Sequence, residues 1–303
     1  MGAYIVLKKT PKEMGSMKWC MFNLHFWTAF LDTCINLLVT PYLLLPVASG
    51  YAMGPFAALY PPLVSYMTCS NVGVTGVAIL IFFENRYDAL VIGPFRSPRR
   101  NMYRIIYFGL HYLLSFVFLI PNYIEMPDVE MGKEYTRQRL PCIPEWVYSD
   151  PSFITVAIDV STLKNCIAGM CCFLSFQAFY FIGFTAHSIA TKINKSSKMH
   201  KYQKNLYIII CIQMIIPIAV LCAPVGYVIY AFWTNYYNQA FNNMVMIAIG
   251  VHGLCSTTTM LMIHKPYRNA TFEFIPKCLK PKTKTQIMAI PHSATSTRID
   301  TVS

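Results

Sequence analysis

The chain of 303 residues is 55% hydrophobic and 15% aromatic but only 13% charged, about half the charged share of an ordinary soluble domain. This excludes a chain that turns most of its surface to water, and the surplus apolar residues are expected to face a lipid bilayer. The formal net charge of +12 does not point to nucleic acid, because the basic residues stand in short clusters beside apolar runs, where membrane proteins carry them.

At the amino terminus a short apolar run, Ala3 to Leu7, precedes Lys8 and Lys9. A signal peptide places its charge first, so none is expected here. Membrane spans are expected at 20–47, 57–83, 105–121, 166–190, 205–233 and 240–264, each with the roughly 17 residues that a helix needs to cross a hydrocarbon core of about 30 Å. The runs lack the alternation of barrel strands, and backbone groups need internal partners in lipid, so the spans are helices. The predicted fold class is all-α, a polytopic membrane helical bundle.

The connections alternate in charge. Lys8, Lys9, Lys12 and Lys18 precede the first span, 48–56 carries no charge, and 84–104 holds Arg86, Arg96, Arg99, Arg100 and Arg104. The long connection 122–165 carries seven of the 13 acidic residues, 191–204 has five lysines, 234–239 has no charge, and seven basic residues follow His264. In all, 21 of the 25 basic residues fall on one side, which the positive-inside rule makes cytosolic, with the carboxyl terminus. Lys8 then lies inside as well. Residues 1–7 form a stub too short to cross, so either the bundle has six helices with both ends inside or a first helix is largely absent. The membrane domain is expected over 1–270, and the tail 271–303, polar and rich in lysine, serine and threonine, is expected to be disordered.

Of 11 cysteines, nine lie in or at the edge of apolar segments and read as small buried hydrophobes. No cysteine or histidine spacing fits a metal centre, so no metal is expected. Cys142 and Cys166 are the candidate pair for a disulfide, and Cys278 is a candidate for palmitoylation.

The residues expected to carry signal are few. Phe83-Glu84-Asn85-Arg86-Tyr87 closes the second span, and Glu84, Arg86 and Tyr87 could form a state-dependent polar switch; the alternative is that Arg86 only obeys the positive-inside rule. Asp32 is the one acidic residue inside a span and needs a partner in the bundle. Asn242, Asn243 and His252 are the side chains considered for it. Pro217 and Pro224 would kink their helix, as a hinge or as a static bend. Trp146, Trp233, Tyr237 and Phe241 could line a ligand pocket at the outer mouth, or belong to the aromatic belt of the interface. His264, Lys265, Pro266, Tyr267 and Arg268 end the last helix, where proline stops it and the basic side chains meet headgroups. The patterns HExxH, GxSxG, GxxxxGK[ST] and GxGD are absent, so neither an enzyme nor a cofactor is expected.

Taken together, Leu24-His25-Phe26-Trp27, Leu31-Asp32 leading into Pro41-Tyr42-Leu43-Leu44-Leu45-Pro46, the Glu84 to Tyr87 segment, Ile212-Gln213 to Pro217, His252-Gly253-Leu254 and His264 to Arg268 resemble the nematode serpentine receptor class H (Srh) chemoreceptors. The resemblance implies a seven-helix G-protein-coupled receptor of chemosensory neurons, with small environmental molecules as ligands and a heterotrimeric G protein as partner. In that frame the six spans are helices two to seven. Glu84 to Tyr87 is similar in position to the acidic-Arg-Tyr motif of rhodopsin-like receptors, but Asn85 separates the charges, and residues two apart on a helix do not face each other. Asp32 resembles the second-helix aspartate that binds sodium in that class. A ligand-gated cation channel or a small-molecule transporter is the competing reading, disfavoured by the lack of a pore helix, an acidic ring or inverted repeats.

Overall fold

The computed structural model describes residues 2–10, 15–92, 97–192, 218–263 and 265–274. Among the described residues eleven α-helices follow in chain order: α1 (Gly2–Lys9), α2 (Gly15–Thr33), α3 (Pro61–Tyr87), α4 (Arg100–Val117), α5 (Ile120–Ile124), α6 (Val129–Arg139), α7 (Glu145–Tyr148), α8 (Ser161–Lys192), α9 (Ile218–Thr234), α10 (Gln239–Ile263) and α11 (Lys265–Phe274). Three short strands, β1 (Pro41–Leu44), β2 (Ser49–Ala52) and β3 (Ile154–Thr155), form an antiparallel sheet in that order.

Helix α3 is the axis of the bundle and packs on α2, α4 and α8. It starts on Pro61 and Pro62, where a missing amide costs nothing, and beyond Tyr87 it widens into a π-helical turn, Asp88–Ile92. Two thirds of its most apolar window (67%) is buried, against 22% on α4 and 11% on α8. Those outer helices instead expose large apolar side chains, Ile105, Leu110 and Leu113 on α4, Phe176 and Phe179 on α8. Apolar faces of that extent are compatible with lipid and not with water. By length and composition Pro61–Ile92, Arg100–Ile124, Ser161–Thr191 and Gln239–Ile263 can each cross a bilayer. In α2 the polar Asn23, His25 and Asp32 lower the apolar density, and α9 is a shorter apolar helix. The first 13 residues of the expected fifth span, 205–217, lie outside the described residues.

The first expected span, 20–47, is only partly helical. After α2 the chain makes a π-helical turn, Cys34–Leu38, and then leaves the helix, because Pro41 has no amide to continue the hydrogen-bond ladder. Thr40 turns the chain at a φ of 44° before β1 and Ala48 at 54° before β2, and the two strands pair, with Leu44 opposite Ser49. The apolar Pro41 to Pro46 stretch therefore belongs to a hairpin. From the long connection, β3 joins β2, with Ser49 opposite Thr155. The Ser49 hydroxyl lies 2.9 Å from that of Thr136 on α6 and 2.8 Å from that of Thr155. Leu44, Val47, Tyr51, Leu140, Val147, Tyr148 and Phe153 form a small core of their own, so 122–165 folds as a cap over one end of the bundle.

At the other, basic end α1 packs on α2 and α11. Ile5 and Val6 are fully buried with Met17, Met21, Tyr267 and Ala270. The Thr10 and Tyr267 hydroxyls are 2.8 Å apart, and Lys9 pairs with Glu273 at 3.4 Å. The expected tail boundary at 271 falls inside α11, whose apolar face is held by α1; the residues after Phe274, Cys278 among them, lie outside the described residues.

Candidate functional site

At the basic end of α3, Glu84 and Asp88 are one helical turn apart and share a face, as do Arg100 and Arg104 on α4. The four interlock. Arg104 reaches Glu84 at 2.7 Å and Asp88 at 3.1 Å, and Arg100 reaches Asp88 at 3.0 Å and Glu84 at 3.3 Å. Arg104 also donates to Asn85 Oδ1 at 3.1 Å and lies over the Phe108 ring at 5.5 Å. Both carboxylates are almost fully buried, so each arginine compensates a charge that water does not reach.

The three residues expected to form one switch face three different neighbours. Glu84 meets α4, as above. Arg86 is 8% exposed, lies over the Phe82 ring at 6.0 Å beside Cys20 and Tyr267, and its Nε and Nη2 have no hydrogen-bond partner among the described residues. Tyr87 packs on α8, its ring centroid 6.0 Å from that of Tyr180 and 5.3 Å from that of Phe181. Asp88, Arg100 and Arg104 were missed from the sequence, although two acids and two arginines at a spacing of four residues are a legible signal.

Asp32 finds its partners on the last long helix, in the main chain. Its Oδ1 accepts from the Gly253 amide and its Oδ2 from the Leu254 amide, both at 2.9 Å. One turn on, in the π-helical turn that continues α2, Asn36 donates to the Gly250 carbonyl at 2.5 Å. A regular helix would pair that carbonyl with the Leu254 amide, so two side chains of one helix hold both ends of a backbone hydrogen bond of another. Glycine permits the approach. A Cβ on Gly250 would overlap the Asn36 amide, and one on Gly253 would stand 2.7 Å from the Thr28 carbonyl oxygen and 2.8 Å from Asp32 Oδ2.

None of the three side chains considered for Asp32 is its partner. Asn242 accepts from the Tyr227 hydroxyl at 2.9 Å and donates to the Leu45 carbonyl at 3.3 Å, Asn243 accepts from Gln239 at 2.9 Å, and His252 is buried with neither ring nitrogen bonded among the described residues. What meets the Asp32 carboxylate is N–H groups, which repel a cation, so these residues do not fit a sodium ion. The suggested hinge is half in view: Pro224 lies within the helical run of α9, and Pro217 lies outside the described residues. Of the helix-end group, His264 also lies outside them. Lys265 and Pro266 open α11, Tyr267 is wholly buried, and Arg268 donates to the Met262 carbonyl at 3.3 Å, satisfying an end group of α10.

Between the sheet and the centre of the bundle lies a cavity of about 330 Å³, walled by α3, α8, α9 and α10 and roofed by the β1–β2 hairpin. Its walls are mostly apolar, from Val72, Leu80 and Phe118 to Ile167 and Val228. On the roof, burial pushes the Tyr51 phenol up from its ordinary pKa. The four aromatic residues expected to form a pocket do not line this one. Trp146 is 61% exposed with its ring edge-on to Tyr51, Trp233 is 59% exposed under the Lys164 ammonium, Phe241 packs on Tyr227, and Tyr237 is 39% exposed near Tyr42 and Cys142. They face outward because the hairpin occupies the mouth. Cys142 and Cys166 are free thiols and do not form the disulfide considered for them.

Comparison with known proteins decides the family. The family model described as "Serpentine type 7TM GPCR chemoreceptor Srh" matches residues 1–277. The chain belongs to the Srh family. It is 24% identical over 280 residues to serpentine receptor class H-72 of Caenorhabditis elegans, which covers 88% of this chain and 77% of the relative. No solved structure matches. Srh proteins are a class of chemoreceptors and not an enzyme family. The helical bundle of this Srh chain is accordingly that of a multi-pass membrane protein of serpentine type.

Proposed function

We propose that this Srh chain is a chemosensory receptor that detects small environmental molecules and signals to a heterotrimeric G protein. The observation that carries this reading is the reach of a single helix. Residues of α3 from Pro61 to Leu80 line the cavity, and Glu84, at the start of the ionic cluster, follows Leu80 by one turn, about 6 Å along the axis. A ligand that fits the cavity better in one arrangement of α3 than in another shifts the population of arrangements, and the ionic cluster and Arg86 move with the same rigid element. By the positive-inside rule the end bearing Arg86, Arg100 and Arg104 faces the cytosol, as does α11, and the sheet faces outward. The site of action proposed is the plasma membrane of sensory cilia.

In this reading Glu84, Arg86 and Tyr87 form the signalling switch through three separate contacts that change together. The test is second-messenger output from cells expressing the receptor, challenged with a panel of volatile and soluble cues. Arg86→Ala is expected to abolish a cue-evoked response while surface expression persists; an intact response in that variant removes Arg86 from the switch. Cue-evoked current that survives G-protein blockade would replace the receptor reading with a channel.

A further inference from the structure

The chemistry of the cavity wall restricts what it can hold. Among the described residues that line it, none is Asp, Glu, Lys, Arg, His, Asn or Gln. Several of its hydroxyls are committed elsewhere: Thr68 donates to the Val64 carbonyl at 2.8 Å, Ser49 is tied to Thr136 and Thr155 in the cap, and Ser152 donates to the Ala52 carbonyl at 3.0 Å, while the Tyr42 and Tyr51 phenols belong to the roof. Ser65 on α3 and Tyr123 on α5 are different. Their hydroxyls are 2.7 Å apart, so one of the pair's two protons bridges them and the other is left to donate outward. The competitor beside them is the sulfur of Cys69, a weak acceptor that a carbonyl or ether oxygen displaces.

We propose that the cavity takes a neutral, mainly apolar molecule with one hydrogen-bond acceptor, held by the Ser65–Tyr123 pair, and that it rejects carboxylates and ammonium ions. The proposal rests on reading the cavity as the ligand site of the receptor. A dry apolar cavity of about 150 Å³ accommodates benzene, so about twice that volume suits a ligand of roughly a dozen heavy atoms. An ion entering these walls leaves water with no charge or amide to meet it, a cost of several kcal/mol that apolar contact does not offset. A ketone, ester or ether keeps its polar atom satisfied, and the few placed donors of an otherwise apolar site fix its orientation.

The test uses Cys69, whose thiol borders the cavity, as a reporter in the full-length receptor. Membranes are treated with N-ethylmaleimide in the presence of 2-octanone, octane, octanoate or octylammonium at pH 7, and labelling of each cysteine is read by peptide mass spectrometry. Cys142, an exposed thiol of the cap, reports non-specific effects in the same sample. Labelling of Cys69 should slow most with 2-octanone, with octanoate and octylammonium weaker by at least about a hundredfold in concentration. In the Ser65→Ala/Tyr123→Phe variant the advantage of 2-octanone over octane should fall about three- to tenfold; Cys142 should be unaffected throughout. Equal protection by the ions, or a ketone advantage that survives loss of both hydroxyls, overturns the proposal, as does a Cys69 thiol that reacts freely with every probe present. Protection of Cys69 without any second-messenger response would keep the site and sink the receptor reading instead.

Discussion

The two ends of α3 solve opposite problems with the same backbone. Toward the sheet its side chains line a cavity with hardly a polar atom, and toward the basic end they meet two arginines with two buried carboxylates. The apolar end is permissive, since dispersion and area do not depend on direction and many shapes fill the space equally well. The charged end is discriminating. Removal of one partner leaves an uncompensated charge, so few arrangements of α3 against α4 are acceptable. A receptor that accepts a small ligand loosely and reports it sharply needs this division, and here it falls within one turn of one helix.

The sharpest way to break the comparison is Arg104→Ala. It leaves Glu84 and Asp88 with Arg100 alone, and the expected loss of stability is about 3–5 kcal/mol, read as thermal unfolding of the purified receptor in detergent. A drop of less than about 1 kcal/mol would mean that the cluster is solvated and not discriminating. Next is Asp32→Ala, which removes the side-chain acceptor from two amides of α10 and should cost about 2–3 kcal/mol in the same assay, without a change in the Glu84–Arg104 coupling measured by a double-mutant cycle. At the permissive end the effects should shrink. Gly76→Ala places a methyl 3.0 Å from the end of the flexible Leu174 side chain, a cost of about 1 kcal/mol that leaves the unfolding transition cooperative. Smallest of all, Trp146→Ala and Trp233→Ala should stay within about 0.5 kcal/mol and leave cue responses unaltered, because both rings are mostly exposed. A large loss of response in either would restore the outer aromatics as ligand contacts.

How much of this could be read from the residues depends on the range of the interaction. The helices of the bundle follow from runs of apolar residues, because length and hydrophobicity are properties of a segment by itself. The hairpin at Pro41–Leu44 was hidden inside such a run: apolar residues there serve a small cap core, and only Pro41 and Pro46 hinted that the helix stops. The separation of Glu84 from Arg86 follows from helix geometry alone, whereas their actual neighbours required α4 and α11 to be in place. Asp32 was singled out by its cost in lipid, yet its partners are two amides, and a backbone amide has no signature in sequence beyond the glycines that let it be approached. The cavity was least legible. Its walls are the Val, Leu, Ile and Phe of any helix interior, and nothing in a residue type says that the space beside it is empty.

The clasp between α2 and α10 has one more consequence. In hydrocarbon a backbone carbonyl or amide that loses its helical partner costs several kcal/mol, which is why membrane helices seldom change pitch. At the turn from Gly250 to Leu254 the carbonyl already has the Asn36 amide as a second partner, and two amides already have the Asp32 carboxylate. A change of pitch there leaves three backbone groups, the Gly250 carbonyl and the Gly253 and Leu254 amides, with partners outside their own helix. The last long helix thus carries a turn whose bending its neighbour eases, and within that turn sits the buried imidazole of His252, with no hydrogen-bond partner among the described residues.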